Sequence, residues 1–314
     1  MSNLQAGQGR FVGIHNHSEF SLLDGGAKVK DILERAKAMG QDSIAITDHG
    51  NMYGAVKANI LAKEIGIKHI VGCELYITPW GRLAGDKDFK KGERSSGHLI
   101  ALAKNSEGYK NLCRLASRGW AEGFYRRPRI DREMLKQHHQ GIIVTSACMA
   151  GPICQSVLNG DIKQAEEEIE FMADLFKDDF YIEIQDHKIP EETMVMDYMR
   201  KLAKQFKIPM VVGTDAHYLY KDDNEVHDAL ICIGTGQKVD GERRFQFNGT
   251  GYHYMSEDEV KQLFPNDLEA IYNTGRIADK IEEDVIEMGH LKLPYFNIPK
   301  NKEFEKWEGA NKWL

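Results

Sequence analysis

The sequence of 314 residues predicts an α/β fold, a distorted (β/α)7 barrel. Three observations predict it. Short apolar runs alternate with amphipathic helical patterns, the alternation recurs about seven times, and most of the runs carry a polar, chemically reactive residue at or near the C-terminal end. Alternating strands and helices favour a mainly parallel sheet, and seven such units close most economically into a barrel.

The predicted strands lie in seven runs, at 10–17, 42–49, 68–78, 97–105, 140–148, 179–187 and 208–217. Helical patterns lie between most of them, at 27–40, 54–66, 161–176 and 190–206. The first two end on Gly40 and Gly66, as C-caps commonly do, and the last has Pro190 in its first turn.

Three regions interrupt or follow this alternation. Residues 79–97 are rich in Gly, Lys and Ser and predict a mobile insertion, whereas the turn-rich residues 236–256 predict a hairpin. Two helices outside the barrel are predicted at 256–264 and 267–281. We therefore expect one catalytic domain over residues 1–285, followed at 286–314 by a linker that leads into a further region.

The composition limits the class of protein. Hydrophobic residues make up 42% and charged residues 28%, which is typical of a globular chain, and the net charge of −7 does not indicate a general nucleic-acid binder. Five irregularly spaced cysteines do not form a disulfide framework. The N-terminus lacks the apolar core of a signal peptide, and no run spans a bilayer. We expect a cytoplasmic protein without a membrane partner.

Potential metal ligands collect where strands end. Parallel α/β barrels place their active face at the C-terminal ends of the strands, so these side chains are predicted to meet there. Side chains alternate between the two faces of a strand, so His15 and His17 share one face, as do Asp215 and His217. The same alternation directs His49 and Asp48 to opposite faces. We expect His49 to be the ligand and Asp48 to support a ligand. The candidates are His15, His17, His49, Glu74, Cys148, His187, Asp215 and His217.

The mixture of donors indicates the kind of ion. Imidazole, carboxylate and thiolate together suit Zn²⁺, Mn²⁺ or Fe²⁺, and there are too many ligands for one tetrahedral ion, so two or three divalent ions are expected. Glu183, Gln185 and His187 share one strand face and require a polar lumen, a substrate or an ion. The remaining histidines are predicted to be ordinary surface or core residues: His69, His138, His139, His227, His253 and His290.

The motifs around these residues resemble a known family. "HNHSEFSLLDG", "AITDHGNMYGA", "IVGCELYI", "GHLIALAKN", "TSACMAG", "YIEIQDH" and "GTDAHY" are similar to the polymerase and histidinol phosphatase (PHP) domain. The likeness is greatest to the form found at the N-terminus of bacterial DNA polymerase III alpha subunits, and it covers about residues 10–295. The resemblance implies a seven-stranded, TIM-barrel-like PHP fold.

The resemblance also implies a nine-residue metal site. Matched motif by motif, the ligands are His15, His17, Asp24, His49, Glu74, His98, Cys148, Asp215 and His217. His98 fits less simply, because it begins its strand instead of ending it. It reaches the same mouth if the long run 68–78 projects above the barrel and the next strand returns beside it. His187 is outside the nine and is predicted to contact substrate phosphate or support a ligand.

The activity implied is metal-dependent phosphoester hydrolysis, and we expect a 3′–5′ exonuclease that proofreads DNA primer ends within a replicative polymerase. Catalytic roles are expected for Asp24, Glu74, Asp215 and His187. Substrate contacts are expected from Arg126, Arg127 and Arg129, which belong to a stretch of arginines and aromatic residues over 114–132 that would equally form a solvated face.

Two other functions fit the same motifs. One is a small-molecule phosphomonoesterase like histidinol phosphatase, and the other is a weakly active structural module that contacts the remaining domains of a polymerase. The chain has no room for a palm with its catalytic aspartates, so we expect no polymerase activity from it.

Overall fold

Strands and helices alternate through most of the chain. The computed structural model describes residues 9–85, 87–88, 94–242 and 244–289. Within them the strands are β1 Ser43–Ile46, β2 Lys68–Thr78, β3 Gly97–Ala103, β4 Phe124–Tyr125, β5 Arg127–Asp131, β6 Ile142–Thr145, β7 Phe180–Ile184 and β8 Met210–Val212. The helices are α1 Val29–Ala38, α2 Ala55–Ile65, α3 Ser106–Glu122, α4 Arg132–Gln137, α5 Pro152–Leu158, α6 Ile162–Phe176, α7 Pro190–Phe206, α8 Asn224–Thr235, α9 Glu257–Leu263 and α10 Leu268–Lys280. Short 3₁₀ helices lie at Lys177–Asp179 and Lys221–Asp223.

The sheet is mixed and curled. Its order is β4-β5-β2-β3-β6-β7-β8, with β1 beside β2. Four of the seven neighbouring pairs are parallel, whereas β3 runs antiparallel to both β2 and β6, and β4 runs antiparallel to β5. A parallel partner needs a long crossover, usually a helix, and the described residues between β2 and β3 contain none, so β3 returns directly alongside β2.

Residues 13–17 close the barrel, although only Asn16 among them forms a β-bridge. On one side, Ala45 N–H donates to the carbonyl of Gly13 at 2.8 Å, which joins this segment to β1. On the other side, His17 N–H donates to the carbonyl of Ala216 at 2.8 Å, and Asn16 bridges Ala216 in parallel. The ring therefore runs through segment 13–17, β1, β2, β3, β6, β7 and β8. The predicted seven-stranded barrel is confirmed.

The helices cover the barrel as their patterns predict. Helices α1, α2, α6, α7, α9 and α10 fall where helical periodicity or helix signals placed them. Gly66 ends α2 at φ +76°, a conformation that favours glycine. Helix α10 packs on β8, and its Ile271 and Ile277 are buried in the main core. The core continues through Val285 and Ile286, just past the predicted boundary at 285.

The hairpin predicted at 236–256 is wrong for the described part of that segment, which contains no strand. Its polar backbone groups pair with the chain after β8 instead of with each other. Tyr252 accepts at its carbonyl from His217 N–H at 2.7 Å, and Tyr254 N–H donates to the carbonyl of Tyr218 at 2.8 Å. Turn-rich composition is compatible with a hairpin and with irregular backbone, and it could not identify which backbone groups this segment pairs with.

Parts of three predicted regions lie outside the described residues. These are 86 and 89–93 of the predicted mobile insertion, 243 of the predicted hairpin, and 290–314 of the predicted linker, which includes His290. Across the residues that the structure does describe, none of the helices has the length and apolar character that a membrane span requires.

Candidate metal centre

The first two histidines face the chain that follows β8. His15 and His17 are buried on segment 13–17, with ring centroids 5.2 Å apart. Their neighbour Ala216 places Asp215 against both rings. Oδ1 of Asp215 lies 3.2 Å from Nε2 of His15 and 3.1 Å from Nε2 of His17. Ligand atoms of the two histidines and Asp215 lie within 4.8 Å of one another, close enough to hold one ion.

Three histidines from three different strand ends form a second group. The ring of His17 stacks on His49 with centroids 4.0 Å apart and lies 4.4 Å from the ring of His217. Burial and the two neighbouring imidazoles lower the pKa of His17 to about 3. The ring is therefore neutral at pH 7, as a metal ligand must be.

Glu74, His98 and Cys148 form the third group. Oε1 of Glu74 lies 2.7 Å from Nδ1 of His98, and Sγ of Cys148 lies 3.5 Å from the same nitrogen. The geometry follows from the antiparallel return of β3, which puts His98 opposite Tyr76 on the projecting end of β2. The strand arrangement expected for His98 is thus the one that the structure has.

Asp24 reaches the other side of His49 from a turn. Its Oδ2 lies 3.0 Å from Nε2 of His49. Asp48 holds that turn in place, because its Oδ1 accepts from Ser18 N–H at 2.7 Å and from Ser21 Oγ–H at 2.8 Å. Asp48 thus has the supporting position that strand alternation predicted.

The buried carboxylates stay ionised. Burial alone would raise the pKa of Glu74 and of Asp215, but nearby imidazoles, His98 foremost for Glu74 and His15 foremost for Asp215, hold it well below the usual range. Burial and the Glu74 carboxylate raise the pKa of the Cys148 thiol far above its ordinary value. A cation bound here would reverse that effect and favour the thiolate.

Several ligand-type atoms in this cluster are buried without a hydrogen-bond partner. A buried polar atom of this kind normally costs stability, and here the unpaired atoms converge on one another. They are Nε2 of His15, Nδ1 of His49, Oε2 of Glu74, Nε2 of His217 and Oδ1 of Asp24. Unpaired nitrogen and oxygen donors beside a thiol fit divalent ions of the Zn²⁺, Mn²⁺ and Fe²⁺ type.

The family model of the PHP domain matches residues 13–187, more than half of the chain. The chain belongs to the PHP domain family. The match includes seven of the nine clustered residues and ends before α7 and β8, the elements that lead to Asp215 and His217.

Curated relatives carry this PHP domain within a longer protein. The chain is 40% identical over 291 residues to the DNA polymerase III subunit alpha of Borreliella burgdorferi, and 40% identical over 294 residues to that of Treponema pallidum. These alignments cover 92% of the chain but only 25% and 24% of the relatives, so it spans about a quarter of their length. Among solved structures, a proposed metal-dependent phosphoesterase from Bifidobacterium adolescentis aligns over 83% of this chain and 96% of its own, with 15% identity and a TM-score of 0.44.

Glu183 supports the cluster of candidate metal ligands through a contact with His15. Its Oε1 lies 2.7 Å from Nδ1 of His15 and accepts from the side-chain amide of Gln185 at 2.7 Å. Thr145 donates to its other oxygen. All four side chains are buried, so the polar lumen predicted from strand alternation is present and is filled by hydrogen bonds.

His187 does not point its nitrogens at the cluster. Its Nδ1 lies 2.9 Å from Oε1 of Glu192, and its Nε2 lies 3.3 Å from the carbonyl of Thr214. Burial opposes the charge, but the Glu192 carboxylate raises the pKa of His187 above its ordinary value. Both nitrogens are engaged, so the geometry gives His187 the role of holding the backbone next to Asp215. The expected substrate contact is withdrawn on this ground.

His227 lies at the cluster, although it was predicted to be an ordinary residue. It is buried on α8, and its Nε2 has no hydrogen-bond partner and lies 3.5 Å from Oδ1 of Asp24. The sequence offered no signal for it, because a single histidine on an amphipathic helix resembles any core histidine.

The three arginines predicted to contact substrate separate into two kinds. Arg126 and Arg127 are exposed, and the guanidinium of Arg127 lies 5.6 Å from the ring centre of Tyr76, which is next to His98. Arg129 is buried and donates to the carbonyls of Gly123, Ser95, Arg82 and Ala84. Its guanidinium holds the surrounding loops together and is not available to a substrate.

Proposed function

We propose that this PHP domain is a metal-dependent phosphodiesterase that acts as a 3′–5′ exonuclease on DNA primer ends. The observation that carries the proposal is the convergence of buried, unpaired His, Asp, Glu and Cys donors at one mouth of the barrel. The similarity to DNA polymerase III alpha subunits supports DNA as the substrate, a place beside the other domains of a replicative polymerase, and proofreading as the purpose.

Nine residues would hold two or three divalent ions, namely His15, His17, Asp24, His49, Glu74, His98, Cys148, Asp215 and His217. Ions in such a cluster lower the pKa of a bound water toward neutrality and stabilise the oxygen that leaves the phosphorus. Zn²⁺, Mn²⁺ and Fe²⁺ are the ions that these donors favour.

The carboxylates are placed to be shared between neighbouring groups. Glu74 approaches both His49 and His98, and its deep burial keeps water from competing for its oxygens. Asp24 lies between His49 and His217, 3.0 Å and 3.7 Å from their Nε2 atoms. Because both acids are ionised and lie between ligand groups, Asp24 and Glu74 would each be able to hold an ion with either neighbouring group, as would Asp215 in the first group.

An exposed aromatic and basic surface leads to the cluster. The rings of Trp120 and Phe124 stack 5.2 Å apart, and 44% and 56% of the two residues is exposed to solvent. The indole N–H of Trp120 donates to the carbonyl of Gly50 at 2.9 Å, which ties this pair to the residue after His49. Stacked aromatic rings beside Arg127 suit the bases and backbone of a single strand.

The decisive experiment offers two substrates to one protein. The full chain, loaded with Mn²⁺ or Zn²⁺, is incubated with a primer that ends in a 3′ mismatch and, separately, with a phosphomonoester. Shortening of the primer supports the exonuclease. Turnover of the monoester alone supports a small-molecule phosphatase. Turnover of neither, with melting lowered by chelation, supports a structural module.

Matched variants attribute the activity to the cluster. Asp24→Asn and His15→Ala should each lower primer shortening by more than about 100-fold, above the 10–100-fold typical of residues that only support a ligand. Asp174→Asn is the control, because Asp174 makes the same change on the exposed face of α6, with its side chain 89% exposed. Equal loss in the control would indicate a general folding effect, and no loss in either cluster variant would indicate a contaminating nuclease.

A further inference from the structure

A cavity of about 810 Å³ adjoins the metal centre on the side away from Arg127. Helix α8 forms one wall, and residues 246–255 form the other. The wall nearest the cluster is aromatic and consists of Tyr218, His227, Phe247 and Tyr252. Nothing in the sequence pattern predicted a cavity here, because residues 236–256 were expected to form a hairpin.

A single layer of side chains separates the cavity from the cluster. The ring centre of Phe247 lies 4.9 Å from that of His217 and 4.8 Å from that of His227. His227 lines the cavity, and its buried, unpaired Nε2 lies 3.5 Å from Asp24. A molecule held in the cavity would thus keep an attached group at the cluster within reach of Asp24 and His217.

The charges in the cavity favour a ligand without a phosphate of its own. Lys188 pairs with Asp186 at 2.7 Å, and Lys221 pairs with Glu259 at 3.2 Å. The lining also includes Glu225 and Asp228. Asp228 pairs with Arg244, so three of the four lining acids have a cationic partner and Glu225 adds a negative charge. A phosphate inside the cavity would meet repulsion, whereas an uncharged base and sugar would not.

We propose that this cavity binds the nucleoside at the 3′ end of the strand, with Phe247 as its stacking surface, while the adjoining phosphodiester lies at the cluster. This proposal rests on the proposed exonuclease function and identifies where the 3′-terminal nucleoside of its substrate binds. The volume falls in the range of about 300–1,000 Å³ that is usual for ligand pockets. A mismatched terminal base enters at the lowest cost, because it is already unpaired.

The two aromatic surfaces then set the direction of the strand. Tyr76 and the Trp120–Phe124 pair lie on the His98 side of the cluster, whereas Phe247 lies on the His217 side. His49 lies between them, with ring centres 5.9 Å from His98 and 5.7 Å from His217. The preceding nucleotides would lie along the first surface, and the terminal one would occupy the cavity.

The test measures binding and cleavage separately. Calorimetric titration of the Mn²⁺-loaded full chain compares thymidine 5′-monophosphate with deoxyribose 5-phosphate, which lacks the base. The nucleotide should bind about 5- to 150-fold more tightly, the range for stacking one base on an aromatic side chain. Phe247→Ala and the volume-retaining Phe247→Leu should reduce that preference, whereas Tyr198→Ala should leave it unchanged, because Tyr198 is exposed on α7 and does not line the cavity. Metal content is measured for each variant.

Cleavage of primers with an intact or an abasic 3′ end separates this proposal from the function on which it rests. Equal affinity for the two small molecules in the wild-type protein, or equal cleavage of the two primers, overturns the nucleoside site while leaving the exonuclease in place. If the nucleotide binds more tightly than deoxyribose 5-phosphate but primers are not shortened, the nucleoside site stands and the exonuclease function is rejected. The wild-type comparison decides the matter even where both Phe247 variants lose metal.

Discussion

Oε1 of Glu183 lies 2.7 Å from Nδ1 of His15, with both side chains fully buried. Burial opposes the charge, but the Asp215 and Glu183 carboxylates raise the pKa of His15 well above its ordinary value. With a cation bound, the carboxylate at Nδ1 would keep the proton on that nitrogen and leave the Nε2 lone pair for the cation. The pair therefore fixes both the rotation and the tautomer of His15. Glu183 is outside the nine ligand positions, yet it determines how one of them is presented.

Glu183→Gln should weaken metal binding without removing a ligand. The amide keeps the shape of the side chain but no longer offers a charged acceptor to the imidazole, so the ring is less basic and less firmly oriented. We expect affinity for Mn²⁺ or Zn²⁺ to fall by about 10–100-fold. Competition with a chelator of known affinity measures the change. Glu170→Gln, on the exposed side of α6, is the control, and an equal loss there would show that Glu183 has no special role.

Cys148→Ser should change which metal is preferred. Thiolate sulfur favours Zn²⁺ over harder ions, whereas a hydroxyl group does not, so the variant should lose Zn²⁺ affinity by at least about tenfold, or ~1.4 kcal/mol, relative to Mn²⁺. Metal content after dialysis against an equimolar mixture of the two ions reports the ratio.

Cys154→Ser provides the matched control for that experiment. Cys154 is a buried cysteine of α5 and belongs to none of the three ligand groups found among the described residues. If both variants change the metal ratio equally, the Cys148 sulfur is not a ligand and only buried thiol packing has been disturbed.

The parts of this site that lie at strand ends could be predicted from the sequence. A strand has a two-residue period and a short reach, so His15, His17 and His49 are directed by local geometry alone. The same local rule placed Glu183 in the lumen. For these residues the information needed is contained within a few neighbouring positions.

Other residues could not be predicted, because their roles depend on distant packing. His227 meets Asp24 only because α8 folds back over the barrel mouth, more than 200 residues later in the chain. Arg129 and Arg127 are two residues apart and look equivalent in sequence, yet one is enclosed by loop carbonyls and the other is exposed. Contacts between distant parts of the chain produce no periodic pattern in the sequence.

Arg127→Met should weaken binding of single-stranded DNA through charge alone. If its guanidinium contacts a phosphate, removing it should reduce the slope of log affinity against log salt concentration by about 1 and lower affinity similarly for all sequences. Fluorescence anisotropy with a labelled oligonucleotide at several salt concentrations gives the slope. An unchanged slope would remove Arg127 from the DNA path.

Arg129→Met should instead destabilise the fold. The substitution removes a buried guanidinium and leaves the carbonyls of Arg82 and Ala84 without this donor, while the carbonyl of Gly123 keeps only the backbone N–H of residue 129. We expect the free energy of unfolding to fall by about 2–4 kcal/mol. Urea unfolding measures the loss, and Arg127→Met makes the same chemical change at an exposed position as the control. Equal stability of the two variants would contradict the loop-holding role of Arg129.

Acid should destabilise the domain through His69, which is separate from the metal cluster. This side chain is buried on β2, and neither ring nitrogen has a hydrogen-bond partner among the described residues. Burial lowers its pKa to about 4, below the value of about 6.5 in an unfolded chain. Between these two pH values the unfolded chain binds a proton that the folded one does not, so stability is full above pH 6.5 and declines as the pH falls toward 4. From pH 7 to pH 5 the loss should be about 2 kcal/mol.

His69→Leu removes this titration and should flatten the pH dependence by that amount. Urea unfolding of both proteins at pH 7 and pH 5, with chelator present so that metal loading does not change, measures the difference. His139→Leu serves as the control, because it makes the same substitution just after α4, where the histidine is only half-buried. A His69→Leu variant that loses as much stability at pH 5 as the wild type would show that His69 finds a partner or solvent in the folded protein.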